Sequence, residues 1–215
     1  KTTFSALFMS KNYLITGITG FAGPHLANLL IEEGHNVEGL IRCSNGREHD
    51  VRDVIPDKNF AHIKFVYGDI TSENDMNRLF KERKYDGVFH LAAQSHPPTS
   101  FKDPIGTFRT NANGTVNIAD SIQQYQPECN LMFCSTSEVY GRVDGATREE
   151  FPLNPINPYG VSKAAADLYV RERSVSKNLP FFVTRAFSHT GPRRGKQFSI
   201  SSDAFQIARI VKGFQ

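Results

Sequence analysis

A glycine-spaced turn at the end of the first apolar run constrains this chain more than any other feature. Residues 13–16 read as a buried strand, Thr16-Gly17-Ile18-Thr19-Gly20-Phe21-Ala22-Gly23 follows without a gap, and a helical pattern opens with Pro24 near its first turn. Glycine at such a turn lets the backbone take positive φ and approach a pyrophosphate closely. The free N–H groups of the helix start then face the phosphate with the positive end of the helix dipole. The spacing is G-x-x-G-x-x-G, wider than the G-x-G-x-x-G of many dehydrogenases. A tight strand-to-helix turn without a ligand would use the same letters; the strand before and the helix after favour the dinucleotide reading.

The rest of the chain repeats this strand–helix rhythm. Runs rich in Val, Ile, Leu and Phe at residues 36–41, 64–67, 88–92, 131–135 and 181–186 lack polar alternation, as strands buried on both faces require. Helices are predicted at 24–33, 72–84, 104–125 and 158–176, and from 203 onward. The expected class is α/β, a Rossmann-type doubly wound parallel sheet. Residues 1–11 read as an N-terminal extension, with Met9 a plausible native start. Residues 12–215 read as an NADP-binding domain with the start of a substrate lobe that is otherwise largely missing. The Pro-rich stretch 151–158 reads as a rigid loop.

Composition narrows the partners. There are 25 Lys and Arg against 22 Asp and Glu, a net +3 scattered along the chain, so no nucleic-acid partner is expected. No apolar run approaches the roughly 20 residues that cross a bilayer, so no membrane partner is expected. Cys43, Cys129 and Cys134 fit neither a zinc ribbon nor a CxxC pair, which favours a reduced, cytoplasmic setting in which they act as small buried apolar residues. The histidines show no metal-ligand spacing, so no metal is expected, and the absence of a GxSxG elbow disfavours a serine hydrolase.

The tip of the second strand chooses the dinucleotide, because an acidic residue there binds a ribose 2′-hydroxyl and a basic one a 2′-phosphate. Here it carries Arg42 and Ser44, a guanidinium fork and a hydroxyl suited to a phosphate, and Glu38 lies too early in the strand for the ribose. NADP is predicted; the plainer reading of Arg42 is a solvated strand-end charge. Gly68-Asp69-Ile70 places a carboxylate where an adenine amino group can be met. Leu91, Ala92, Ala93 and Ser95 end the fourth strand with small residues that let a dinucleotide lie across it.

Tyr159-Gly160-Val161-Ser162-Lys163 sets a phenol and an ammonium at i and i+4, on one face of the helix that follows Pro158. Tyrosine is a poor base near its ordinary pKa of about 10, and the lysine at this spacing is expected to lower it by favouring the phenolate. Taken alone such a pair is more often a surface pair. Ser135-Thr136-Ser137-Glu138 follows the fifth strand at its carboxyl end, where open α/β sheets bind their ligands, and brings hydroxyls and a carboxylate near the same place.

Together, TGITGFAG, GDI, LAAQSH, STSEVYG, YGVSK and the late His189-Thr190-Gly191-Pro192-Arg193-Arg194-Gly195 closely resemble the extended short-chain dehydrogenase/reductases that act on nucleotide sugars. Within them the chain is most similar to the GDP-mannose 4,6-dehydratases and to the GDP-4-keto-6-deoxymannose reductases; residues 111–115 and 198–208 look more like the reductase branch. The resemblance covers about residues 12 to 215 and implies GDP-mannose as substrate, GDP-4-keto-6-deoxymannose as product, and transient hydride transfer to NADP. It implies that Tyr159 takes the C4 hydroxyl proton, that Thr136 hydrogen-bonds the C4 oxygen, and that Glu138 removes the C5 proton and assists loss of water from C6. Lys163 then holds the cofactor ribose. Gly17, Thr19, Gly20, Phe21, Gly23, His189 and Arg194 are implied cofactor contacts, and a homo-dimer or homo-tetramer is implied through a loop near 42–53. The alternatives are an NADPH-dependent keto-sugar reductase, a nucleotide-sugar epimerase, and a non-catalytic NADP-binding sensor.

Overall fold

The apolar runs form a six-stranded sheet. In the computed structural model, which describes residues 9–42 and 49–214, the strands are β1 (Asn12–Thr16), β2 (Asn36–Ile41), β3 (Ile63–Tyr67), β4 (Gly87–His90), β5 (Asn130–Cys134) and β6 (Phe181–Thr184). They stand in the order β3-β2-β1-β4-β5-β6, and every neighbouring pair is parallel. The winding reverses between β1 and β4, which leaves a crevice above their carboxyl ends.

Successive side chains of each strand leave on opposite faces and so build two cores. Leu14 joins Val66, Phe80, Ile118, Phe133 and Val170 beneath α4 (Glu73–Glu82), α7 (Gly114–Tyr125) and α8 (Pro158–Ser176). Ile15 joins Ala27, Val37, Ile41 and Val51 beneath α1 (Ala22–Glu32), α2 (His49–Arg52) and α3 (Asp57–Phe60). The last helix, α9 (Ser199–Val211), buries none of its residues. No helix among the described residues is long and apolar enough to cross a membrane.

Several elements differ from the sequence expectation. The expected helix at 104–125 is divided: α6 (Pro104–Phe108) passes into a π-turn at Arg109–Asn113 before α7 begins. The widened turn frees the Asn111 side chain. Its Oδ1 accepts from the Gln94 N–H at 2.8 Å, and its Nδ2 donates to the Gln94 carbonyl and to Ser162 Oγ, both at 3.0 Å. An additional helix, α5 (Pro97–Lys102), opens on Pro97 and Pro98, where a missing N–H and a preset φ cost nothing. Helices α2 and α3 have four residues each, too few to register as a period. Helix α9 begins at Ser199 rather than at 203. Strands β4, β5 and β6 end at His90, Cys134 and Thr184, before the expected ends, and the residues after them turn out of the sheet toward the crevice.

Candidate active site

Those strand ends converge on one cleft of about 800 Å³. Gly17, Thr19, Gly20, Phe21 and Gly23 line it from the first turn, Arg42 from the tip of β2, Asp69 and Ile70 from beyond β3, and Leu91, Ala92, Ala93 and Ser95 from beyond β4. Thr136 and Glu138 enter from beyond β5, Tyr159 and Lys163 from α8, and His189 and Arg194 from beyond β6. Ser44 lies outside the described residues.

The glycine turn is a steric requirement. Gly17 has φ +75°, and a Cβ there would lie 2.7 Å from the Ala92 nitrogen; at Gly23 it would lie 2.6 Å from both the Gly17 carbonyl oxygen and Ile18 Cα. Gly20 N–H closes the turn on the Gly17 carbonyl at 2.9 Å. Phe21, at the N-cap of α1, supplies no side-chain acceptor and the first turn holds no acid, so no side chain competes for its amides.

Beneath the turn, Thr16, His90 and Thr115 form a buried relay. Thr115 Oγ1 donates its one proton to the Asn111 carbonyl at 2.6 Å, so it accepts from His90 Nε2 at 2.9 Å. His90 Nδ1 then accepts from Thr16 Oγ1 at 2.7 Å, which itself accepts from the Ala92 N–H at 3.2 Å. Every member suits a neutral imidazole. Burial, and then the Lys163 charge, push His90 down to about 3.

At the other end, Asn157 caps α8: its Oδ1 accepts from Gly160 N–H at 2.7 Å, and Pro158 occupies the first turn. The same amide donates through Nδ2 to Glu138 Oε2 at 2.8 Å, so one side chain fixes both the helix that carries Tyr159 and the carboxylate facing it. Thr136 Oγ1 accepts from the Glu138 N–H at 3.3 Å. Tyr159 and Lys163 fall on the buried face of α8, 8% and 3% exposed.

Their electrostatics correct the sequence expectation. Burial raises the Tyr159 phenol above its ordinary range, and the groups that draw it back are the Thr136 hydroxyl and the Arg194 guanidinium. The Lys163 ammonium sits 4.1 Å over the centre of the Phe133 ring and is itself pushed down to about 8 by burial, against the opposing pull of Cys134 and Asp167. An i, i+4 spacing brings two side chains to one face; it does not set how deeply either is buried.

A second layer closes over the glycine turn. Phe21 stacks on His189 with ring centres 5.6 Å apart, and the Arg194 guanidinium lies between Phe198, at 3.6 Å, and Phe21, at 5.1 Å. Asp69 commits Oδ1 to the Thr71 N–H at 2.8 Å and to its hydroxyl at 2.9 Å. Cys43 lies outside the described residues; of the other two cysteines, Cys129 is buried, whereas Cys134 is half-buried on the cleft wall. Glu38, set aside as a ribose ligand, bonds Tyr85 Oη at 2.6 Å and Arg83 at 2.8 Å. Sequence reasoning missed Arg193 and Asn157 as site residues; Arg193 adjoins Arg194 and Asn157 stands two residues before Tyr159, so nearness to those residues was the available signal.

The model of the GDP-mannose 4,6 dehydratase family matches residues 14–215. The chain belongs to this family. Among curated relatives in the GDP-mannose 4,6-dehydratase family, it is 33% identical over 213 residues to GDP-mannose 4,6-dehydratase of Vibrio cholerae, covering 96% of this chain, and 35% identical over 211 residues to that of Yersinia enterocolitica, covering 95%. The chain spans 57% of the length of each. Among solved structures it is similar to UDP-glucose 4-epimerase of Thermus thermophilus in complex with NAD, at TM-score 0.80 and 29% identity, covering 94% of this chain and 63% of that one. It is also similar to RMD from Pseudomonas aeruginosa complexed with NADPH, at TM-score 0.74 and 28% identity, covering 96% and 62%.

Proposed function

We propose that this protein is an NADP-dependent nucleotide-sugar 4,6-dehydratase that converts GDP-mannose to GDP-4-keto-6-deoxymannose, with residues 12–215 as its NADP-binding domain and the start of its substrate lobe. The observation that carries this is the meeting of Glu138 with Thr136, Tyr159 and Lys163 on the wall of one cleft. A simple reductase needs a proton donor and a cofactor; loss of water from a sugar needs a further acid/base, and Glu138 is that group.

The residues present fit a dinucleotide. Two glycines lie where any Cβ would strike backbone, the amides of α1 face no capping side chain, and three buried polar atoms, Ser135 Oγ, Arg193 Nη1 and Arg194 Nε, have no partner among the described residues. Relatives of this fold solved with NAD or NADPH support the same reading. The glycine turn would hold the pyrophosphate, Arg42 with Ser44 the 2′-phosphate, Asp69 the adenine, and Lys163 and His189 the nicotinamide half. When bound, the nicotinamide supplies the place where the sugar's C4 hydride is stored and from which C6 receives it. In this reading Tyr159 accepts the C4 hydroxyl proton while Thr136 holds that oxygen. Glu138 takes the C5 proton, acidified by the new ketone, and gives a proton to the C6 hydroxyl that leaves as water, and C5 regains a proton from Tyr159 as C6 is reduced.

The exposed apolar side chains of α5, α6 and α8, Phe101, Ile105, Phe108, Val161 and Leu168, support a homo-dimer or homo-tetramer as the working form. The free thiols Cys129 and Cys134 support a cytoplasmic one.

The test is mass spectrometry of GDP-mannose incubated with the protein and catalytic NADP+. The expected product is lighter by one water, and Glu138→Gln abolishes that loss while NADPH still binds. Wild-type turnover in Glu138→Gln would remove the dehydratase reading.

A further inference from the structure

Arg193 and Arg194 are consecutive, yet they serve opposite ends of the cleft. Arg194 acts on Tyr159 and stacks between Phe21 and Phe198. Arg193 turns away: its Nε lies 3.8 Å from Asp53 Oδ2, beyond β2, on the side that Arg42 occupies. The backbone makes this divergence, because Arg193 sits at φ +71°, a left-handed conformation that an L-residue with a long side chain adopts at a cost. The adjoining Pro192 carbonyl is fastened to the first turn of α1, 3.3 Å from His25 Nε2. Arg193 is thus held over the start of the helix that the glycine turn leads into.

Its charge is not satisfied there. The Arg193 side chain is 19% exposed, and Asp53, its carboxylate partner, is 69% exposed, so that contact contributes little. Arg193 Nη1 is buried with no partner among the described residues while the residue lines the cleft. A buried guanidinium nitrogen without a partner among the described residues, in a left-handed residue that lines the cleft, suits an anionic ligand.

We propose that Arg193, on the wall of the cleft, binds a phosphate of the dinucleotide. The proposal rests on the dinucleotide reading above and adds a residue that neither the glycine turn nor the Arg42 tip supplies. The 2′-phosphate and the pyrophosphate offer the same chemistry, and the sugar nucleotide's diphosphate offers it too.

The experiment is fluorescence titration of the full chain with NADPH, NADH and GDP for wild type, Arg193→Met and Arg193→Gly, together with thermal melts of the unliganded proteins. Arg193→Met keeps the stem and loses the donors; its NADPH dissociation constant is expected to rise tenfold or more, an effect on the order of one charge-assisted hydrogen bond. Arg193→Gly relieves the left-handed backbone, so its unliganded melting temperature is expected to hold or rise while NADPH affinity falls alike. That opposition separates ligand binding from a structural role. Loss confined to NADPH supports the 2′-phosphate, and equal loss for NADH supports the pyrophosphate. Unchanged dinucleotide affinities in both variants, or a loss seen with GDP alone, would overturn the proposal. Failure of wild type to bind NADPH or NADH would overturn the dinucleotide reading itself, and the proposal with it.

Discussion

Around Gly17 the cleft is walled by backbone, with an added Cβ landing 2.7 Å from the Ala92 nitrogen, whereas around Tyr159 it is walled by titratable side chains whose charge depends on burial. The first end binds by shape and by amides that need no side chain. The second end depends on a few groups held by one another: Glu138 by Asn157, Lys163 by the Phe133 ring, and Tyr159 between Thr136 and Arg194. A backbone-built end should therefore fail abruptly when volume is added. A side-chain-built end should tolerate substitution structurally while losing its chemistry.

The sharpest way to break this contrast is Gly17→Val. A β-branched residue at φ +75° combines left-handed strain with overlap against Ala92, so a destabilisation of about 4 kcal/mol and loss of NADPH binding are expected, read by urea unfolding and fluorescence titration. A variant that unfolds like wild type and binds NADPH would show that the turn has room that the geometry denies.

Lys163 gives the opposite case, a residue whose removal should stabilise. Its folded pKa of about 8 lies below the ordinary 10.5, so the unfolded chain binds more protons between those values and stability rises with pH across that window. The burden is full below about pH 8 and lifted above about 10.5. Lys163→Met, nearly equal in length and uncharged, is expected to exceed wild type by up to roughly 3 kcal/mol at pH 7, with the gap narrowing at pH 9.5, while sugar-nucleotide turnover is lost. Urea unfolding at both pH values checks it; a gap that does not change with pH means that the ammonium is not the cause.

These two ends also differ in what a reader of the chain can foresee. The parallel sheet, its strand positions and the glycine turn were legible because they follow from local rules: apolar runs, strand-to-helix junctions, and a residue type that alone tolerates φ +75°. The set Thr136, Glu138, Tyr159 and Lys163 was legible as positions, since β5 and α8 deliver them to one crevice. Their electrostatics were not, because whether Lys163 faces Tyr159 or the Phe133 ring depends on packing between α8 and β5, which no spacing within α8 contains. The π-turn at Arg109–Asn113 was hidden for the same reason. Asn111 satisfies Gln94 and Ser162, partners that are 17 and 51 residues away, and nothing in the local pattern of 104–125 announces them.

The finest test concerns Asn157, which joins helix capping to the placement of Glu138 and so lets the two be separated. Asn157→Ala removes the Oδ1 acceptor for Gly160 N–H and the Nδ2 donor to Glu138, and is expected to cost about 1 kcal/mol, the ordinary loss of an N-cap. Asn157→Ser keeps a capping oxygen but has no amide to reach the carboxylate, so its stability should stay within a few tenths of a kcal/mol of wild type. If Glu138 owes its place to this tether, both variants lose water-elimination activity to a similar extent although only one loses stability. Turnover in Asn157→Ser at the wild-type rate would mean that the carboxylate is positioned by substrate instead. The side-chain-built end of the cleft would then assemble only when its ligand arrives, unlike the backbone-built end, which is shaped before any ligand binds.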